Sequence, residues 1–172
     1  YFYARGMFSP EHAVSFVKNH RFVEPSCGSG VLVYALLLRL IEAGVPVEIM
    51  RDLDLQLVDV NPSALSYVKR QFEEINSALG ERIFKPSLEC NDFLSYNGLS
   101  SDRDLVFFGN PPFVSNPKGG AWKNVYAEFV DRCLEEASPL ASIHLILPLS
   151  IAFSRDYALL RQKLRLGRYT VF

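Results

Sequence analysis

Short apolar runs alternate along the chain with longer stretches in which apolar residues recur every three or four positions. The short runs predict β-strands, and the longer periodic stretches predict α-helices. Predicted strands cover residues 21–24, 55–60, 87–90, 104–109, 143–147 and 169–172. Predicted helices cover residues 10–17, 30–43, 62–79, 125–136 and 154–166. This alternation is typical of an α/β domain with a doubly wound, mostly parallel sheet.

Local sequence supports several of these elements. Ser9 and Asn61 each precede a proline, Pro10 and Pro62, and a capping side chain before a proline is a common helix start. Residues 105–108 are uninterruptedly apolar, which favours an interior strand covered on both faces.

Composition indicates one folded domain. The chain has 172 residues, of which 49% are hydrophobic and 22% charged, a profile that excludes a disordered polymer. The longest apolar run, residues 31–38, is interrupted by Arg39 and is too short to cross a bilayer. No secretory leader is recognisable, and we expect no membrane partner.

The cysteines and histidines argue against disulfides and metal. Three cysteines lie far apart with no CxxC spacing, which favours reduced thiols and a cytoplasmic location. Three scattered histidines share no ligand spacing with the cysteines, so we expect no metal site.

The net charge and the ends of the chain favour a fragment that needs other parts of a longer protein to bind nucleic acid. A net charge of -1 is unlike that of a self-sufficient nucleic-acid binder. Residues 161–168 are the most basic stretch, but they read equally well as the solvated face of a helix. The chain starts without methionine and stops inside a strand-like run, so we expect a fragment of a longer protein.

A glycine-rich turn follows the first predicted strand. Residues 24–30 read EPSCGSG and lead directly into a helix. Glycines at 28 and 30 would let the backbone approach a ligand, although such turns also serve as plain connectors. No Gly-Lys-Ser/Thr sequence follows, so the turn is not a triphosphate loop.

Acidic residues follow the next two predicted strands. Asp59 can accept hydrogen bonds from ribose hydroxyls, or it can merely cap the next helix, a role for which Asn61 is better placed. Asp92 and Phe93 offer a carboxylate for an adenine amino group and an aromatic face for its ring. Without the other motifs, Asp92 and Phe93 would most often be ordinary residues at the start of a loop.

The most specific motif is the tetrapeptide Asn110, Pro111, Pro112 and Phe113, directly after the strand 104–109. Two prolines make the turn rigid and remove two donors. The Asn110 side chain and the Pro111 carbonyl would accept both hydrogens of an aromatic amine and stabilise the positive charge that develops on it. Phe113 would stack on the flat target.

Together these segments resemble the gamma-class N6-adenine DNA methyltransferases of restriction–modification systems, a Rossmann-like family. The resemblance implies S-adenosylmethionine as cofactor and a catalytic role for the tetrapeptide. It implies cofactor binding by Phe8, Ser9, Pro10, Glu24, Pro25, Ser26, Cys27, Gly28, Gly30, Asp59, Val60, Asp92 and Phe93. It covers nearly the whole chain, residues 1–172, as the catalytic core.

Two parts of that family have no counterpart here. One is the later strand hairpin that completes the sheet and supplies an aromatic residue to a flipped base. The other is a target-recognition domain. The resemblance therefore implies a DNA partner whose specificity comes from a missing domain or subunit, and a duplex base would have to be flipped out to be reached.

Other acceptors share the tetrapeptide and its chemistry. Related enzymes methylate guanine N2 or adenine in RNA, or a glutamine amide in protein. The segment 8–10 and the Glu-Pro start of the glycine turn favour DNA. A non-catalytic scaffold is a further reading, although a scaffold would not need Asp59, Asp92 and Asn110.

Overall fold

The computed structural model describes residues 10–99, 101–116 and 121–166. Its strands are β1 (His20–Glu24), β2 (Asp54–Asp59), β3 (Ser87–Cys90), β4 (Asp104–Gly109) and β5 (Ser142–Leu145). Its helices are α1 (Pro10–Asn19), α2 (Val31–Glu42), α3 (Val47–Met50), α4 (Pro62–Ala78), α5 (Val125–Glu136), α6 (Ser150–Phe153) and α7 (Ala158–Leu166). None of these helices is long and apolar enough to cross a bilayer.

The strands form one five-stranded sheet in the order β3-β2-β1-β4-β5. Each neighbouring pair is parallel, and β1 lies in the centre with β2 on one side and β4 on the other. Phe22 of β1 pairs with Leu55 of β2 and with Val106 of β4. The chain order reverses between β1 and β4, and ligands of such sheets bind beyond the carboxyl ends at that reversal.

Both faces of the sheet are covered. One face packs against α1, α2 and α4, with strand residues Phe22, Leu55, Leu57, Val106 and Phe108 in its core. The other face packs against α5, with strand residues Val23, Val58, Leu105 and Phe107 in its core. Successive residues of β4 alternate between the two cores, which explains why residues 105–108 are all apolar.

The predicted cap of α4 and the limits of several elements are confirmed. The Asn61 side chain accepts a hydrogen bond from the Ser63 N–H at 2.9 Å and caps α4. The limits predicted for β3, β4 and α5 coincide with those observed. The strand predicted at 169–172 lies outside the described residues.

Several local features differ from the sequence prediction, among them the short helix α6, which was not predicted. The helix predicted over 154–166 starts later, at Ala158: Ser154 is extended, its hydroxyl accepts from the Asp156 N–H at 3.3 Å, and a 3-10 turn over Arg155–Tyr157 precedes α7. The one-turn helix α3 was not predicted, and it begins where Pro46 supplies a suitable φ of -61°. β5 ends at Leu145, before Pro148, rather than at residue 147.

The cap of α4 gives a stability prediction. We expect Asn61→Ala to lower the free energy of unfolding by about 1 kcal/mol, because the Ser63 N–H loses its acceptor. Urea unfolding followed by circular dichroism measures this change. Asn97→Ala, at an exposed loop position, is the matched control, and an equal loss in both variants would contradict the capping role.

Candidate active site at the carboxyl edge of the sheet

Most predicted site residues of the described chain lie at or just after the ends of strands, at one edge of the sheet. Glu24, Asp59, Cys90 and Gly109 end β1, β2, β3 and β4, and all four strands run in the same direction. The segments that follow these strands therefore lie side by side. Phe8 and Ser9 lie outside the described residues, and Pro10 is the first residue of α1.

The glycine turn between β1 and α2 has a left-handed backbone at two positions. Gly28 has a φ of 51° and Gly30 a φ of 79°, a conformation that residues with a Cβ rarely adopt. A Cβ at position 30 would also lie 3.2 Å from the ring of Tyr34. The turn is tied to β2, because the Cys27 N–H donates to the Val58 carbonyl at 3.1 Å.

Asp59 holds this turn with its side chain. One carboxylate oxygen accepts from the Gly28 N–H at 2.8 Å, and the other accepts from the Asn61 N–H at 2.8 Å. A carboxylate has about four acceptor positions, so capacity remains for a ligand. Val60 follows with 68% of its surface exposed, an apolar contact area beside the turn.

Glu24 is the most perturbed acid of the site. Only 2% of its surface is exposed, and within the described residues its Oε2 atom has no hydrogen-bond partner. Burial, together with the nearby charge of Asp59, raises the pKa of Glu24 to about 9. The carboxyl group is therefore protonated at neutral pH. Burial, together with the nearby Glu24 and Asp59, raises the pKa of the Cys27 thiol to about 12. The thiol is therefore unreactive and serves only to pack the turn.

The segment after β3 has an exposed acid and a buried ring. Asp92 is exposed, and its Oδ1 accepts from the Leu94 N–H at 3.1 Å. Phe93 is 1% exposed and packs between Phe107 and Phe129, with centroids 6.2 and 5.2 Å away. The ring of Phe93 thus belongs to the core, and its contact with an adenine ring stays a prediction.

A small polar network connects the segment after β3 to β2 and α5. The Gln56 amide donates to the Tyr96 hydroxyl at 2.8 Å and to the Gly98 carbonyl at 3.0 Å. The Arg132 guanidinium donates to the Tyr96 carbonyl at 3.1 Å. Asp92 is thereby presented from a loop that is anchored to both β2 and α5.

The tetrapeptide after β4 lies against the glycine turn. The Ser26 hydroxyl donates to the Asn110 carbonyl at 3.3 Å. Pro111 is buried, whereas the side chains of Asn110 and Phe113 are exposed, the latter to 51%. The amide and the aromatic ring are therefore available beside the turn, as a reaction with a bound ligand requires.

Two features of this edge were missed by the sequence analysis. A Cβ at Gly109 would lie 3.3 Å from the Cδ atom of Pro25, so the absence of a side chain lets the tetrapeptide approach the turn. The ring of Phe113 meets that of Tyr126 edge-on. The glycine before the tetrapeptide was visible in the sequence; the contact across to α5 had no sequence signal.

Metal chemistry has no support in the described part of the chain. None of its His, Cys, Asp and Glu side chains form a group of three or more that could hold a metal ion. The site consists instead of carboxylates, backbone donors and acceptors, and aromatic rings.

Comparisons with known proteins give structural likenesses only. No protein-family model matches the chain, and no curated protein matches it. A Listeria monocytogenes protein, assigned as a class I S-adenosylmethionine-dependent methyltransferase, superposes with a TM-score of 0.64 at 18% identity. A Vibrio vulnificus protein, assigned as the modification subunit of a type I restriction enzyme, superposes with a TM-score of 0.60 at 16% identity.

These likenesses cover most of this chain and only part of each neighbour. The first covers 91% of this chain and 48% of the Listeria protein, and the second covers 86% of this chain and 34% of the Vibrio protein. The chain has the Rossmann-like fold of the S-adenosylmethionine-dependent methyltransferases. It spans about half of the first neighbour and about a third of the second.

The burial of Glu24 generates a pH prediction. The folded chain keeps a proton on this group between about pH 4.5 and 9, whereas the unfolded chain releases it above about pH 4.5. The free energy of unfolding must therefore fall as pH rises through this window. We expect Glu24→Gln to flatten that fall and to raise the free energy of unfolding at pH 8 by about 1–3 kcal/mol.

Urea unfolding at pH 5, 7 and 9 measures this effect. Glu48→Gln, at an exposed position on α3, is the control for loss of one acid. A pH dependence in Glu24→Gln as steep as that of the parent protein would contradict the assigned protonation.

Proposed function

We propose that this chain is the catalytic core of an S-adenosylmethionine-dependent enzyme that methylates the N6 amine of adenine in DNA. The observation that carries the proposal is the position of Asn110, Pro111, Pro112 and Phe113. They follow β4, the strand beside β1, and they contact the glycine turn through Ser26. An amide acceptor and an aromatic face thus stand next to the predicted cofactor turn.

The residues of the turn fit the proposed cofactor. The left-handed Gly28 and Gly30 leave two positions of the turn without a side chain, and Asp59 retains acceptor capacity for ribose hydroxyls. The buried carboxyl group of Glu24, whose Oε2 has no partner among the described residues, is a further group that can hydrogen-bond a ligand. Exposed Val60 offers apolar contact, and exposed Asp92 offers an acceptor for an adenine amino group. S-adenosylmethionine supplies an electrophilic methyl group carried on a sulfonium ion.

The tetrapeptide supplies what the acceptor amine lacks. The lone pair of an aromatic amine is delocalised into its ring, so the nitrogen is a weak nucleophile. The Asn110 amide oxygen and the Pro111 carbonyl accept its two hydrogens and favour a pyramidal nitrogen. The same acceptors stabilise the positive charge that develops as the methyl group is transferred. Phe113 stacks on the base and holds it in line.

The choice of DNA rests on the motif set and on one structural neighbour. The segment 8–10 and the Glu-Pro start of the turn are those of the adenine DNA methyltransferases that this chain resembles. The Vibrio protein with the same fold is assigned to a restriction enzyme. The net charge of -1 fits a core whose DNA affinity and specificity come from another domain or subunit.

Radiolabelled methyl transfer tests the proposed reaction. The full chain, with its specificity domain or subunit, is incubated with labelled S-adenosylmethionine and with DNA, RNA or protein. We expect label on N6 of adenine in DNA and a fall of about 100-fold or more in Asn110→Ala, because an acceptor of the amine hydrogens is lost. Asn110→Asp keeps an acceptor oxygen and should retain more activity than the alanine variant.

Each outcome of that experiment distinguishes the proposed function from one of its alternatives. Label on RNA alone, or on a glutamine amide alone, would move the chain to the corresponding methyltransferase class. Absence of label on every acceptor, with cofactor binding retained, would favour a scaffold. Undiminished transfer by Asn110→Ala would refute the role of the tetrapeptide.

The cofactor turn gives a separate prediction. We expect Asp59→Ala to weaken S-adenosylmethionine binding by about tenfold or more, since a ribose acceptor and the anchor of the Gly28 N–H are lost together. Asp54→Ala is the matched control, because Asp54 starts the same strand and pairs with Arg21 at 2.9 Å, away from the turn. Isothermal titration calorimetry measures both variants, and equal affinities would refute the assignment.

A further inference from the structure

Phe113 is the exposed end of a row of three aromatic rings. Its ring lies 6.0 Å from that of Tyr126 at an interplanar angle of 86°, and Tyr126 lies 5.5 Å from Tyr157 at 51°. Phe113 is 51% exposed, whereas Tyr126 and Tyr157 are each 3% exposed. The row therefore runs from the acceptor side of the site into the core beneath α5 and α7.

The two buried rings are anchored through their hydroxyl groups. The Tyr126 hydroxyl and the Ser150 hydroxyl share a hydrogen bond of 3.1 Å, and Ser150 is the first residue of α6. The Asn124 amide donates to the Tyr157 hydroxyl, and Asn124 directly precedes α5. Segments that follow β4 and β5 thus hold Tyr126 in one orientation.

The loop between the tetrapeptide and α5 is closed by a second set of bonds. The Val125 N–H donates to the Val114 carbonyl at 3.0 Å, and Ser115 forms a bridge with Asn124. The Trp122 indole donates to Asp131 of α5 at 2.9 Å. The backbone beside Phe113 is therefore tied to the helix that carries Tyr126, and the two rings meet at a defined place.

In an edge-on contact, Tyr126 leaves at least one face of the Phe113 ring uncovered while it restricts the rotation of that ring. We propose that Tyr126 is the positioning residue of the acceptor platform: it holds the Phe113 ring so that a planar acceptor can stack on it, and Ser150 holds Tyr126. This inference rests on the proposed function, since the platform matters only if a planar acceptor binds there. Tyr126 itself is buried and does not touch the acceptor.

Three variants separate positioning from ordinary core packing. Tyr126→Leu removes the ring, Tyr126→Phe removes only the hydroxyl, and Val130→Ala is the control. Val130 is 1% exposed in the same core cluster, one turn further along α5, and carries no ring to support Phe113. All are made in the full chain together with its specificity domain or subunit.

Steady-state kinetics with varied acceptor, together with cofactor-binding measurements, should show that the variants affect acceptor binding and not cofactor binding. We expect Tyr126→Leu to raise the acceptor KM about tenfold, equivalent to about 1.4 kcal/mol and within reach of one aromatic contact. The cofactor Kd should change less than about twofold. Tyr126→Phe and Ser150→Ala should each raise the acceptor KM by a few fold, and their double variant should add nothing further. Val130→Ala should lower the melting temperature without raising the acceptor KM.

Two results would overturn the proposal. One is an acceptor KM in Tyr126→Leu equal to that of Val130→Ala at a matched loss of melting temperature. The other is an equal weakening of acceptor and cofactor binding, which would indicate general damage to the fold.

A measurement that needs no methyl transfer tests the position of the Phe113 ring independently of the proposed reaction. Carbon-13 labelling of phenylalanine, with the Phe113 signal assigned by Phe113→Leu, reports the ring contact by NMR. We expect the ring-current shift of Phe113 to survive in Tyr126→Phe and to vanish in Tyr126→Leu. An unchanged shift in Tyr126→Leu would refute the contact. If the parent protein methylates no acceptor, the proposed function fails while this shift still decides the position of the ring.

Discussion

β1 lies between β2 and β4 with all three strands parallel, and every predicted interaction of the site depends on that arrangement. Residues that are 35 positions apart, Glu24 and Asp59, end neighbouring strands, as do Glu24 and Gly109. Hydrogen bonds then join the ends directly, from Gly28 to Asp59 and from Ser26 to Asn110. A different order of the strands would separate the cofactor turn from the tetrapeptide even if each kept its local structure.

The same arrangement places two acids close together, and their environments differ. Asp59 is half-buried, and two backbone N–H groups donate to it. Glu24 is almost wholly buried, and one of its oxygens has no partner within the described residues; the raised pKa follows from that burial together with the charge of Asp59. A neutral, protonated Glu24 thus lies beside Asp59, and the protein bears the cost of burying it.

Features set by neighbouring residues were predictable from the sequence. The cap at Asn61, the glycine turn and the tetrapeptide each depend on a few adjacent side chains, and the order of strands and helices follows from their apolar periods. The start of α7 was predicted four residues too early, because an extended Ser154 and a 3-10 turn over Arg155–Tyr157 precede the helix. The burial of Phe93 was also missed, since its partners Phe107 and Phe129 are distant in sequence. Contacts of this kind depend on how the helices pack on the sheet, which the local pattern does not contain.

Gly109 and Asn110 are neighbours in sequence, yet different physical causes restrict them. At position 109 a Cβ would lie 3.3 Å from the Cδ atom of Pro25 in the adjacent turn, so a substitution there requires the Pro25 ring to shift. At position 110 the side chain is exposed, so a substitution there removes no packing from the core. A library of substitutions selected first for folding and then for activity should therefore deplete position 109 in the first round and position 110 only in the second.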